Sequence, residues 1–153
     1  MIDLYRALGL GVPALMDVAP LIARIVVGGM FFLSGFYKLF TPTQAEKMQK
    51  TMVEAGVAAP RQTARFVSVC EFVFGALLIM GLLTSLAALV LLAICAVALV
   101  TVASKSVKGA SLGFRLSSYF DLPETLLMVI LVWLIANGPG LWSLDFVLFL
   151  PRF

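Results

Sequence analysis

Residues Arg24–Lys38 read R-I-V-V-G-G-M-F-F-L-S-G-F-Y-K, an apolar run with a cation at each end. At helical spacing Arg24, Gly28, Phe31, Gly35 and Lys38 fall on one stripe, alternately four and three residues apart. That stripe holds both cations and two glycines, while Ile25, Val26, Met30, Phe32 and Leu33 fill the faces that suit lipid or neighbouring helices. An ionised side chain at the bilayer centre costs about 2.5–3.5 kcal/mol on insertion scales. Arg24 and Lys38 are therefore expected to face a partner, a cavity or the headgroups, and the remaining helices must supply it.

Working outward, the composition is that of a membrane protein: 62% of the 153 residues are hydrophobic and only 12% are charged. The apolar residues gather in four runs, about 20–40, 66–83, 86–103 and 121–137. Crossing a bilayer core takes about 20 helical residues, so the fourth run spans only if its start reaches back to Asp121. The expected fold is all-α: a single-domain integral membrane four-helix bundle. The first span's flank carries Asp3, Arg6 and Asp17 without a net positive n-region, so it is expected to be a retained helix rather than a cleaved leader.

The net charge of +3 is unevenly placed. Lys38, Lys47, Lys50, Arg61, Arg65, Lys105, Lys108 and Arg115 lie in or beside the connections after the first and third spans. The other side holds Arg6, Arg24 and Arg152. The positive-inside rule puts the loops 41–65 and 104–120 in the cytoplasm and both termini outside, in a multi-pass protein of a bacterial-type inner membrane. Topology and anionic headgroups account for this basic character, so no nucleic acid is expected as a partner. The absence of His excludes His-ligated haem, zinc or copper and His-based acid–base catalysis. No metal site is expected. Cys70 and Cys95 fall at different depths, which argues for buried thiols rather than a disulfide.

Between spans, Thr41 and Pro42 can open a helix that Gly56 stops. Ala45, Met48, Met52, Val53 and Ala55 form its apolar face, as in an amphipathic helix lying on the interface. A short interfacial segment is expected before the first span, with Pro20 at its first helical position. The second span repeats the pattern of the first: Glu71, Gly75, Leu78 and Leu82 share a stripe. Thr84-Ser85 is read as the tight turn of an antiparallel hairpin. Asp121 is expected to cap the fourth helix, with Pro123 in its first turn and Asn137-Gly-Pro-Gly140 as its stop. Leu112, Phe114 and Leu116 of the second loop are expected to dip into the interface.

Counting about 1.5 Å per residue from the cytoplasmic ends brings Lys38, Glu71 and Glu124 into one leaflet. Such a cluster either fixes helix register as a buried ion-pair network or forms a polar pocket for a proton, a quinone headgroup or another small lipophilic ligand. Arg115 is a candidate to complete its charge, and Tyr37, Phe72, Phe74 and Tyr119 are candidate lining aromatics. Arg24 lies at the outer level, with Asp145 or Asp17 as its nearest partner by depth. The candidate polar residues are thus Lys38, Glu71, Glu124, Arg24, Asp145, Tyr37 and Asp121, and no catalytic residue is assigned.

Arg24 with Gly28–Leu39 (G-G-M-F-F-L-S-G-F-Y-K-L), Glu71–Thr84 (E-F-V-F-G-A-L-L-I-M-G-L-L-T), L-P-E at Leu122–Glu124 and G-P-G-L-W-S-L-D at Gly138–Asp145 occur in that order. Together they resemble the DoxX family of small four-helix membrane proteins, over roughly Leu21 to Asp145. Members of that family include a subunit of thiosulfate:quinone oxidoreductase and a partner in a membrane oxidoreductase complex tied to thiol stress and superoxide detoxification. The resemblance implies a subunit of a redox-linked, thiol- or quinone-associated membrane complex, catalytic or accessory, with protein partners and room for a homo-oligomer. The chain has no intrinsic cofactor motif, so a quinone or a partner would have to bring the redox centre. A non-catalytic scaffold or assembly helper is the alternative. A small transporter subunit comes third, since no broken-helix repeat is evident.

Overall fold

The computed structural model describes residues 13–103, 117 and 120–149. The interfacial segment expected before the first span lies outside the described residues as far as Val12, and from Pro13 on it is instead the start of the first helix. Lys105, Lys108, Leu112, Phe114, Arg115, Leu116, Tyr119, the tail with Arg152 and the side chain of Asp17 also lie outside the described residues. Among the described residues every regular element is a helix. They are α1 (Pro13–Phe40), α2 (Pro42–Glu54), α3 (Pro60–Met80), α4 (Thr84–Ala98), α5 (Pro123–Asn137) and α6 (Leu144–Phe149), with α4 prolonged by a π-helical turn over Leu99–Ala103.

Three of these helices are long and apolar enough to cross a membrane: Val18–Phe40 within α1, the whole of α3, and Thr84–Thr101. The fourth, α5, has 15 residues. At about 1.5 Å per residue it is shorter than a bilayer core, and it starts at Pro123 without reaching back through Asp121. Its N-cap is Leu122, in extended geometry and with no side-chain cap, so Asp121, which is exposed, does not serve as the expected cap. Pro20 likewise lies inside α1 instead of starting it. A membrane helix tolerates the missing N–H, which frees the carbonyl four residues earlier; the Pro20 carbonyl itself accepts from Arg24 Nε at 3.4 Å.

Four helices, α1, α3, α4 and α5, make the bundle, and its two closest pairs are α1 with α3 and α4 with α5. The first pair is a glycine crossing. A Cβ on Gly28 would stand 2.9 Å from the Gly75 carbonyl oxygen, and one on Gly75 would stand 2.5 Å from the Phe32 nitrogen. Small residues let membrane helices approach backbone to backbone, where dispersion and weak polar contacts replace the hydrophobic drive that lipid removes. Phe32 and Phe72 stack beside this crossing, with ring centroids 4.7 Å apart. Val27, Phe31, Leu78, Ala87, Ala88, Leu91, Cys95, Leu131 and Leu134 form the buried core. The outward faces remain apolar: Ile22, Ile25, Val26, Met30 and Leu33 on α1 are each about half exposed. An oily core within an oily surface suits a bilayer rather than water.

The hairpin turn between α3 and α4 lies at Gly81–Leu83, and Thr84 and Ser85 belong to α4. Gly81 (φ 67°) takes the left-handed conformation that ends α3, and the Leu82 N–H returns to the Leu77 carbonyl at 3.0 Å, closing the helix end. Leu83 is also left-handed (φ 49°), a strained state for a branched side chain that something else must hold. The helix α2 has no buried residue and packs on α1 and α3. Ala45, Met48 and Met52 are its half-covered face, whereas Val53 points out at 60% exposure. Thr41 stands at its N-cap without a side-chain hydrogen bond; Pro42 in the first turn starts the helix.

Candidate functional site

Two polar clusters sit near opposite ends of the bundle. In the first, Ser34 and Lys38 lie one turn apart on α1 and converge on Glu71 of α3. Lys38 Nζ donates to both carboxylate oxygens, at 2.8 Å to Oε1 and 2.7 Å to Oε2. Ser34 Oγ donates to Oε2 at 3.1 Å. The Glu71 side chain is 7% exposed and that of Lys38 is 23% exposed. The glycine crossing brings the two helices close enough for these short bonds, and burial makes the match of charge and donors necessary.

The third member of the expected cluster, Glu124, lies in the first turn of α5, where its charge complements the helix dipole. Its Oε2 is buried and has no hydrogen-bond partner. Cys95 of α4 is within electrostatic range of Glu124, Glu71 and Lys38, while no ion pair among the described residues joins Glu124 to Lys38. Ser68 is buried one turn before Glu71, but its hydroxyl is used on the Ala64 carbonyl at 2.8 Å. Tyr37 and Asp121 are not gathered there. Tyr37 is 53% exposed and meets Phe36 edge-on, and Asp121 faces out. Both cysteines are free thiols; Cys95 is buried as expected, whereas Cys70 is only half-buried.

The second cluster is built around Arg24, whose side chain is fully buried. Its Nη2 donates to the Trp142 carbonyl at 2.7 Å, while Nη1 is buried without a partner. Gly81 makes room for it: a Cβ there would collide with Arg24 Nη1 and lie 2.8 Å from Ser143 Cβ. Asp145 contributes to Arg24 through its charge but forms no direct pair with it. Its two carboxylate oxygens instead accept the Leu83 and Thr84 N–H groups, at 2.6 and 2.7 Å, and its own N–H donates to the Gly81 carbonyl at 2.9 Å. This is what holds the left-handed Leu83 and caps α4. Ser143 in turn accepts the Phe146 N–H at 3.1 Å and so opens α6. The segment Gly138–Asp145 therefore clips the α3–α4 turn and covers Arg24 with a carbonyl. Replacing Asp145 by Ala should cost about 2 kcal/mol, the upper range for lost N-terminal caps, because two N–H groups are released together. Thermal unfolding in detergent measures this; unchanged stability would remove the capping role.

Sequence reasoning missed Ser34, the Trp142 carbonyl and Gly81. Ser34 was legible as a hydroxyl one turn before Lys38 on the same face. A main-chain carbonyl carries no sequence signal, and the role of Gly81 depends on where the arginine ends.

An all-helical bundle with apolar faces, paired through glycines and carrying its few charges in internal clusters, is a multi-helix membrane protein. The chain belongs to the DoxX family, whose model matches residues 19–104, from α1 to just past the π-helical end of α4. It is also similar to the uncharacterized membrane protein Rv3486 of Mycobacterium tuberculosis, at 30% identity over 129 residues, covering 80% of this chain and 76% of the relative. No solved structure matches it at a significant level.

Proposed function

We propose that the protein is an inner-membrane subunit of a redox-linked complex, and that the region bordered by Lys38, Glu71 and Glu124 receives the polar head of a quinone or similar lipophilic ligand. The observation that carries this reading is the buried, unpartnered Oε2 of Glu124. A buried carboxylate oxygen without a donor leaves a polar demand that the bundle does not meet. A hydroquinone hydroxyl is a donor of the right kind, and Lys38 supplies an ammonium for the carbonyl of the oxidised form. The DoxX membership supports the redox context. The basic connection 41–65 supports a cytoplasmic placement for this end, with both termini outside. Electrons would enter through a partner subunit, because the chain offers no cofactor motif of its own.

The test is quinone content after extraction in mild detergent with native lipids. Wild-type protein should retain quinone, and Glu124→Gln should retain markedly less, since an amide is a weaker acceptor than a carboxylate. Full retention in both Glu124→Gln and Glu71→Gln would end the quinone assignment. A specific observation favours a second reading, that of an assembly scaffold: Lys38, Ser34 and Glu71 satisfy one another without any ligand. On that reading the same substitutions lower abundance or stability and leave quinone content unchanged.

A further inference from the structure

Where α1 ends, α2 folds back and α3 begins, the three helices line a half-open cavity of about 370 Å³. That is toward the lower end of the about 300–1,000 Å³ usual for small-ligand sites. Its lining mixes the cations Lys38, Arg61 and Arg65 with the apolar residues Leu39, Pro42, Ala45 and Met48. Glu46 is its one acidic lining residue. The cavity thus sits at the common end of two helices long enough to span, the level at which lipid headgroups begin. Phe40 and Phe66, 65% and 69% exposed, stand at the same level on α1 and α3.

We infer that this cavity binds the phosphate of an anionic glycerophospholipid, with Arg61 and Arg65 on the phosphate and the apolar lining residues against the glycerol and upper acyl chains. The charge count selects the class. Lys38 is paired with Glu71, and Arg61 and Arg65 together with Glu46 leave the lining one net positive charge. That complements a phosphodiester monoanion better than a free phosphate dianion. Arginine presents planar paired donors suited to phosphate oxygens. The half-apolar lining would be of no use to a soluble ion. Lys38 borders both this cavity and Glu71, so the bound phosphate lies next to the internal ion pair.

The experiment measures saturable binding to the full-length protein in nonionic detergent, with dioctanoylphosphatidylglycerol, dioctanoylphosphatidylcholine and inorganic phosphate as probes. Phosphatidylglycerol should bind at least about tenfold more tightly than either of the others, and Arg61→Gln with Arg65→Gln should remove that preference. Both arginines are exposed, so their replacement should leave the fold intact. The control is Lys47→Gln with Lys50→Gln on α2, two exposed cations that do not line the cavity; it should leave binding nearly unchanged. Equal binding of phosphatidylcholine would overturn the anionic requirement, and equal binding of inorganic phosphate would overturn the lipid assignment. An equal loss in the lysine variant would reduce the site to a general basic surface.

Discussion

Lys38→Met should destabilise the protein far more than Glu71→Gln, although the two substitutions break the same ion pair. The asymmetry follows from where each charge is left. Without Lys38, the Glu71 carboxylate stays in a side-chain environment that is 7% exposed, with the Ser34 hydroxyl as its remaining donor. Removing one partner of a buried pair costs about 3–5 kcal/mol because the other charge is stranded. Without the Glu71 charge, Lys38 is better placed. Its side chain is 23% exposed, it lies near the end of α1, and its flexible stem can carry the ammonium outward. Gln at 71 still offers an oxygen to Ser34 and Lys38, so the loss should be nearer the ~1 kcal/mol of an ordinary hydrogen bond. In the double variant Lys38→Met/Glu71→Gln no charge is stranded, so it should be more stable than Lys38→Met alone. Thermal unfolding of the four proteins in one detergent gives the cycle directly. Equal losses for the two single variants, or simple additivity, would show that the pair is not a buried ionic unit.

The α1 stripe and its echo in α3 were readable because a helical period of 3.6 converts spacing directly into a shared face. Arg24, Gly28, Phe31 and Gly35 are all buried as that period requires, and Lys38 sits half-covered at its end. Depth counting brings Lys38, Glu71 and Glu124 only into one leaflet, since rise per residue is nearly constant in membrane helices; that Lys38 meets Glu71 directly is seen in the structure. The same arithmetic gave only proximity for Arg24 and Asp145. It could not foresee that Asp145 would be taken by two backbone N–H groups, because the left-handed Leu83 that exposes them is set by the turn and not by composition. Element ends were the least legible. Local preference makes Pro20 a helix start, yet it lies inside a helix, and makes Asp121 a cap, yet Leu122 stands at that position. Both errors come from weighing a local preference where packing against neighbouring helices decides how far a helix extends. Tyr37 shows a further limit: it adjoins Lys38 in sequence, but a helix turns neighbouring residues about 100° apart, which here sends Tyr37 outward.

Two glycine-to-alanine substitutions six residues apart on α1 should move stability in opposite directions. At Gly35 an added Cβ would stand 2.5 Å from the Phe72 nitrogen, 2.7 Å from the Ser68 carbonyl oxygen and 2.9 Å from the Phe72 Cα. All three atoms are backbone of α3, so no rotamer change relieves the clash and the helices must separate. Overpacking of this kind costs about 1–3 kcal/mol, and Gly35→Ala should lie at the upper end because the obstacle is a whole helix. The separation also acts on the neighbouring turn. Ser34 and Lys38 reach Glu71 only because the crossing is tight, so their 2.7–3.1 Å bonds should lengthen and the polar cluster should loosen with it. At Gly29 an added Cβ meets nothing within 4 Å. There Gly29→Ala removes backbone freedom without a clash, and the helix should gain up to about 1 kcal/mol. Unfolding temperature in detergent separates the two directly, and a Gly35→Leu variant should fail to accumulate as folded protein. If Gly35→Ala proved as harmless as Gly29→Ala, α1 and α3 would not meet backbone to backbone, and the short reach from Lys38 to Glu71 would lose its structural basis.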